Sequence, residues 1–211
     1  MLAHNQREIM AAKSETSHAG TAPDQALAGL SEVALARKRG PAPVYLWNPP
    51  YCGEIDMRIA ADGTWFYNGS PIGRAPLVQL FASILRKDGD RYVLVTPVER
   101  VGIRVDDAPF LAVEMIVAQT VGEPSLTFRT NVEDIVTADA DHPLRFERAA
   151  ADGIKPYVRV RGDLWALVKR PLYYDLVALG ETAPWQGEDW FGVRSGGLFF
   201  PVSRASEIEG L

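Results

Sequence analysis

One cysteine and three histidines are all that the 211-residue chain offers of the side chains that most readily hold metals. Cys52 alone excludes an internal disulfide framework and any site built from several thiolates. His4 and His18 fall in a polar N-terminal stretch, which leaves His142, followed by Pro143, as a loop histidine. A surplus of positive charge is also missing. Lys and Arg number 22 against 27 Asp and Glu, a net charge of -5, so general affinity for a nucleic-acid backbone is excluded. Nowhere do the ~20 consecutive apolar residues of a membrane span occur, and the first twenty residues lack the apolar run of a signal peptide. A cytoplasmic location is therefore expected. No Gly-x-Ser-x-Gly elbow and no Walker-type loop is present. Asp106-Asp107 are adjacent carboxylates, which on a strand point to opposite faces and share a metal or proton poorly.

What is there is an ordinary globular composition, 47% apolar and 23% charged, which calls for a packed core. Residues 1–22 read as a mobile polar tail. From Pro23 the spacing of Leu27, Leu30 and Ala34 predicts a short helix, ended by Gly40 and Pro41. Ile55, Met57 and Ile59 then alternate with Glu54, Asp56 and Arg58, the period of a half-buried strand. Asp62-Gly63 predicts a type I′ hairpin turn into Trp65-Phe66-Tyr67, and Asn68-Gly69 closes that strand. Leu77, Leu80, Phe81, Ile84 and Leu85 line one face of a helix predicted over 76–87, with Gly89 as its stop.

Further strands are expected over 91–96, 98–105, 110–118 and 125–130, with weaker ones at 135–137 and 144–147. From Tyr157 the first pattern returns. Val158 and Val160 alternate with Arg159 and Arg161, Gly162-Asp163 turns the chain, 164–168 runs back, and Pro171 precedes Leu172, Leu176 and Leu179 at helical spacing. Trp65 precedes Pro71 by the same interval as Trp165 precedes Pro171, which suggests a duplicated strand, turn, strand, helix unit with each tryptophan anchoring its hairpin. The expected class is α+β, mostly antiparallel β, in two domains. Their expected extents are 23–95, a helix plus the first unit, and 96–211, a β-rich domain holding the second.

The strings WNPPYCGEIDMRIAADGTWFYNGSPIGR, LVTPVERVGIRVDDAPF, FRTNVEDIV and DWFGVRSGGLFFPV resemble the bacterial family called domain of unknown function 1285, over about 44–202. The resemblance implies a repeated motif in two domains, a second domain like a pleckstrin-homology roll or barrel, and a cleft between the domains that holds a nucleotide-type ligand. It also implies a role in signal transduction. It supplies no catalytic residues and no cofactor.

On the residues themselves, Glu54, Asp56 and Arg58 on one polar strand face correspond loosely to Arg159 and Arg161 on the other. Were the units to face each other, three arginine forks would line one cleft and suit phosphate or carboxylate. The competing reading of that face is a solvated sheet surface. Tyr67 and Tyr157 are the rings best placed to stack on a base, Trp65 and Trp165 being read as core. Glu99 with Thr96, and Asn131 with Thr130 and Asp134, put polar groups at strand ends, where turn capping is the commoner role. Three functions compete. The first is a non-catalytic module binding a small anionic, nucleotide-like ligand between the domains. The second is a metal-assisted hydrolase of a nucleotide or phosphoester using Glu99, Asp107 and His142. The third is a protein-interaction module that docks a partner protein.

Overall fold

The structure is a computed structural model that describes residues 42–120, 123–149 and 153–208. The tail and helix expected before residue 42 lie outside the described residues. The chain enters through a 3-10 turn, Val44–Leu46, and continues into β1 (Tyr51–Ile59). β2 (Trp65–Tyr67) and β3 (Ser70–Pro71) follow antiparallel, then α1 (Ala75–Ser83). β4 (Leu85–Asp88), β5 (Arg91–Val95) and β6 (Arg100–Val105) form a meander whose last strand lies parallel to β1. The six strands make one sheet in the order β3-β2-β1-β6-β5-β4.

A second six-stranded sheet has the order β10-β11-β12-β7-β8-β9. Its strands are β7 (Phe110–Thr120), β8 (Glu123–Thr130), β9 (Ile135–Thr137), β10 (Leu144–Arg148), β11 (Ile154–Arg161) and β12 (Leu164–Val168). Only β12 and β7 run parallel in it. After α2 (Arg170–Ala178) the chain ends in a meander of β13 (Glu181–Trp185), β14 (Glu188–Ser195) and β15 (Leu198–Arg204), then the short α3 (Ala205–Ile208). The fold is thus mostly β with few helices, its pairs mainly antiparallel. No helix among the described residues is long and apolar enough to cross a membrane.

β1 and β2 are followed by β3 and then α1, whereas β11 and β12 lead directly to α2, and each helix carries proline in its first turn. That position suits proline because its missing N–H has no helical acceptor there anyway. The equal Trp-to-Pro intervals do not mark equal places, however. Pro71 pairs with Phe66 in β3, and the proline at the start of α1 is Pro76. The tryptophans differ too. Trp65 is buried and stacked on Phe81 of α1 at 6.2 Å between ring centres, whereas Trp165 is half-exposed and donates its indole N–H to Asp163 at 3.0 Å.

Other local departures have simple causes. The type I′ turn sits at Asn68-Gly69, with φ of 48° and 73°, and not at Asp62-Gly63, where only Gly63 is left-handed. Asp62 instead accepts the Thr64 N–H at 2.9 Å, and Gly63 N–H bonds the Ala60 carbonyl at 2.9 Å, which widens the loop. The helix predicted to reach Lys87 stops at Ser83, because Leu85 to Asp88 pair with Leu94 to Arg91 across the Gly89 turn. β6 completes the first sheet, so the first unit extends past 95 to Val105. The final meander was not anticipated. One apolar core runs through both sheets, joining Met57, Ile59, Trp65, Phe81, Leu85 and Leu94 to Phe110, Phe128, Val158, Leu164 and Leu176.

Candidate functional site

The alternation that buries Met57 and Ile59 turns Glu54, Asp56 and Arg58 to the other face of β1. There Asp56 meets Arg104 at 3.4 Å, and Arg58 pairs with Asp106 at 2.7 Å while lying over the Phe66 ring at 4.8 Å. Glu54 is exposed and sits against Gly102. Tyr67 packs on the core.

Arg159 and Arg161 do not share a face. A bulge between them pairs Arg159 with Trp165 but Arg161 with Leu164, and adjacent residues of β12 point opposite ways. Arg161 crosses between the sheets. Its Nη1 bonds Asp134 at 2.5 Å, its Nη2 donates to the Ala82 carbonyl of α1 at 2.7 Å, and its guanidinium lies 4.9 Å from the Phe110 ring centre. Arg159 receives His142 Nδ1 on its backbone carbonyl at 3.0 Å, and its buried Nε has no partner. The three arginines have no partner in common among the described residues.

The strand-end polar groups form turns. Thr96 Oγ1 accepts the Glu99 N–H at 3.2 Å, and Thr130 Oγ1 accepts the Asp134 N–H at 3.0 Å. Asn131 clasps β7, since its Oδ1 accepts the Leu111 N–H at 3.0 Å and its own N–H bonds the Leu111 carbonyl at 2.9 Å. Among the described residues no three His, Cys, Asp or Glu side chains group as metal ligands. Asp107 is held by Lys155 and Tyr157, and His142 by Arg159, so the trio with Glu99 is not assembled as a metal site.

Tyr157 belongs to a cluster that draws on both sheets. Its hydroxyl donates to Asp107 Oδ1 at 2.7 Å, and Lys155 Nζ reaches Oδ2 at 2.6 Å. Arg145, opposite Tyr157 in the β10–β11 register, lies 4.2 Å from the Trp165 ring centre and 5.1 Å from that of Tyr157. From the first sheet, Lys87 pairs with Asp163 at 3.0 Å and lies over Tyr92 at 5.6 Å. Three cations and three rings thus meet where the domains adjoin, balanced by Asp107, Asp163 and Glu147, the last 3.0 Å from Arg145.

Electrostatics follow the contacts. Burial pushes the Tyr157 hydroxyl well above its ordinary range, and its bond to Asp107 adds to that. Burial works against ionised Asp107, yet the hydrogen bonds from Lys155 and Tyr157 outweigh it and hold the carboxyl below its usual value. Asp163 is held low by the Trp165 indole and then by Lys87. Of the candidates named from the sequence, Tyr157 and Asp107 lie in this cluster; Lys87, Tyr92, Arg145 and Lys155 are not among those candidates. Their signal was available only in part, as Arg145, Glu147 and Lys155 lie on short strands whose pairing partners depend on tertiary register.

The family comparisons agree with this division. A model described as the DUF1285 N-terminal domain matches residues 42–108, and one described as the DUF1285 C-terminal domain matches 109–202. The chain belongs to the DUF1285 family. A crystal structure of a DUF1285 family protein from Silicibacter pomeroyi DSS-3 is 51% identical, with a TM-score of 0.75, over 86% of this chain and 98% of that one. A DUF1285 family protein from Shewanella baltica OS155 is 31% identical with a TM-score of 0.47, over 58% of this chain and 90% of that one. No curated protein matches. The DUF1285 domain models meet just before β7, so the junction cluster lies where the two family domains adjoin, with Lys87, Tyr92 and Asp107 on the N-terminal side and Arg145, Lys155 and Tyr157 on the other.

Proposed function

We propose that this chain is a non-catalytic, cytoplasmic ligand-binding module that serves signal transduction by holding a small anionic, nucleotide-like ligand at its domain junction. The observation that carries this reading is Arg145, whose guanidinium lies over both Trp165 and Tyr157, with Lys155 beside it and Lys87 brought in from the other domain. A planar base stacks on such rings, and phosphate oxygens take the ammonium and guanidinium donors. Because Asp107, Asp163 and Glu147 already balance the cations, the ligand displaces internal ion pairs, which makes binding weak and salt-sensitive. The exposed free thiol of Cys52 supports a reducing compartment. The similar order of elements, with proline opening both helices, supports descent of the two units from one duplicated motif, the second built into a roll of pleckstrin-homology type.

Thermal-shift titration of the full chain with purine and pyrimidine nucleotides tests the reading. A concentration-dependent rise in melting temperature that shrinks in Arg145→Ala supports it. No rise with any nucleotide, or an equal rise in Arg145→Ala, removes it. A second reading, a protein-interaction module, is favoured by one observation. Ile116 and Ile135, 56% and 69% exposed, stand on the same face of the second sheet. Nuclear magnetic resonance shift changes confined to that face on adding a partner, with none at the junction, would favour it instead.

A further inference from the structure

The first sheet carries a second charged niche, turned away from the junction. In the β4–β5 register Lys87 opposes Tyr92 and faces the C-terminal domain, so the next pair, Asp88 and Arg91, faces the other way. With Tyr51, Asp90, Val93 and Arg100 they line a cavity of about 350 Å³, a size that takes a small metabolite.

Most charge here is spent within the protein. Asp88 accepts Arg86 through both oxygens, at 2.6 and 2.9 Å, and Arg100 Nη1 at 2.9 Å. Arg86 also donates to the Val44 and Trp47 carbonyls at 2.6 and 2.7 Å, which makes it a brace for the entering chain. Two opposite charges remain. Arg91 lies 5.6 Å from the Tyr51 ring centre and makes no ion pair among the described residues. Asp90, exposed in the turn, likewise has no cation partner among them.

The wall that faces Arg91 is preformed. Tyr51 reaches across Gly102, where an added Cβ would stand 2.7 Å from the tyrosine hydroxyl and 2.9 Å from Glu54 Cγ, so a side chain there would push the tyrosine or Glu54 aside. A simple anion would meet Asp88 and Asp90, and a simple cation would meet Arg91 and Arg100. A ligand that carries both charges meets neither penalty, because each of its groups finds the unspent partner of opposite sign.

We propose that this niche binds a small zwitterion of the free α-amino-acid class, with its carboxylate on Arg91, its ammonium on Asp90 and its side chain against Tyr51. The site is separate from the junction and stands whether or not a nucleotide binds there.

Isothermal titration of the full chain with each of the common amino acids, singly, tests it. At least one free amino acid is expected to bind, and its N-acetyl and carboxamide derivatives to bind about tenfold or more weakly, since each loses one charge-assisted contact. Arg91→Gln and Asp90→Asn are each expected to weaken binding by a similar factor while leaving any nucleotide-induced thermal shift unchanged. Gly102→Ala, which moves the Tyr51 wall, is expected to weaken binding with both charges intact. Absence of heat with every amino acid overturns the proposal. So does undiminished binding of the N-acetyl derivative, which marks a plain anion site, or undiminished binding by Asp90→Asn.

Discussion

Arg161 Nη2 donates to the Ala82 carbonyl at 2.7 Å, which ties the end of β11 in one domain to the last turn of α1 in the other. Carbonyls in the last turn of a helix lack the N–H four residues on that the helix interior supplies, and the negative end of the helix dipole favours a cation beside them. With Asp134 on its other arm and Phe110 beneath it, Arg161 fastens the two sheets over their shared core.

Arg161→Met is therefore expected to destabilise the fold by roughly 1–3 kcal/mol, because it removes a charged donor from both the Ala82 carbonyl and the Asp134 carboxylate. Urea unfolding followed by tryptophan fluorescence measures this as a lower midpoint. An unchanged midpoint would show that the crossing contact contributes nothing.

Gly63 and Gly69 are both left-handed, with φ of 82° and 73°, but only one is crowded. A Cβ on Gly63 would stand 2.8 Å from Leu111 Cδ1 and 2.9 Å from Asn131 Nδ2, across the domain boundary, whereas nothing lies within 4 Å of one on Gly69. Gly69→Ala is expected to cost about 1 kcal/mol from backbone conformation alone. Gly63→Ala should cost more, by roughly a further 1–2 kcal/mol of overpacking. Equal losses in chemical unfolding would mean that the first loop is free of the second domain.

How much of this could be read beforehand is clearest at β11. The alternation of Val158 and Val160 with arginines identified the strand and its buried face, because period two is a property of the local sequence. The bulge that sends Arg159 and Arg161 to opposite faces is not local, since it arises from pairing with β12. The same distinction separates β1, legible from Ile55, Met57 and Ile59, from the helix end at Ser83. There the apolar run continues unbroken through Ile84 and Leu85, and only the pairing of Leu85 with Leu94 makes it a strand. Candidate chemistry fared worse than architecture. Thr96, Thr130 and Asn131 are polar at strand ends because they build those ends, while the junction cluster joins Lys87 of the first sheet to Arg145 and Lys155 of the second, a pairing set by tertiary structure.

Asp88 makes the fold sensitive to acid. Hydrogen bonds from Arg86 first, opposed by burial and helped by Arg100, hold its carboxyl below the ordinary value of 3.8. A carboxyl depressed in the folded state contributes stability that is complete above its unfolded value and is lost as pH falls through the folded one. Stability of the natural chain should therefore drop below about pH 4, in the window just under the unfolded carboxylate value. Asp88→Asn should be less stable at neutral pH and lose less on acidification, as read by urea midpoints at stepped pH. Parallel curves for the two proteins would remove Asp88 as the cause.

Tyr157 sets the opposite limit. Burial first, then its hydrogen bond to Asp107, raises its hydroxyl above the ordinary value of 10.0. A group raised in the folded state contributes stability that is fully present below its unfolded value and disappears as pH climbs through the folded one. The chain has seven tyrosines, so the contribution of this one is isolated by subtracting the Tyr157→Phe protein in an alkaline ultraviolet titration. The difference spectrum should stay flat through pH 10 and appear only above it, accompanied by unfolding. Asp107→Asn, which replaces a half-buried anion by a neutral amide, should move that appearance to lower pH without returning it to the ordinary value, because the burial of Tyr157 persists. A Tyr157 that ionises at the ordinary value of 10.0 would mean that the hydroxyl is open to water, and with it the contact on which the junction cluster rests.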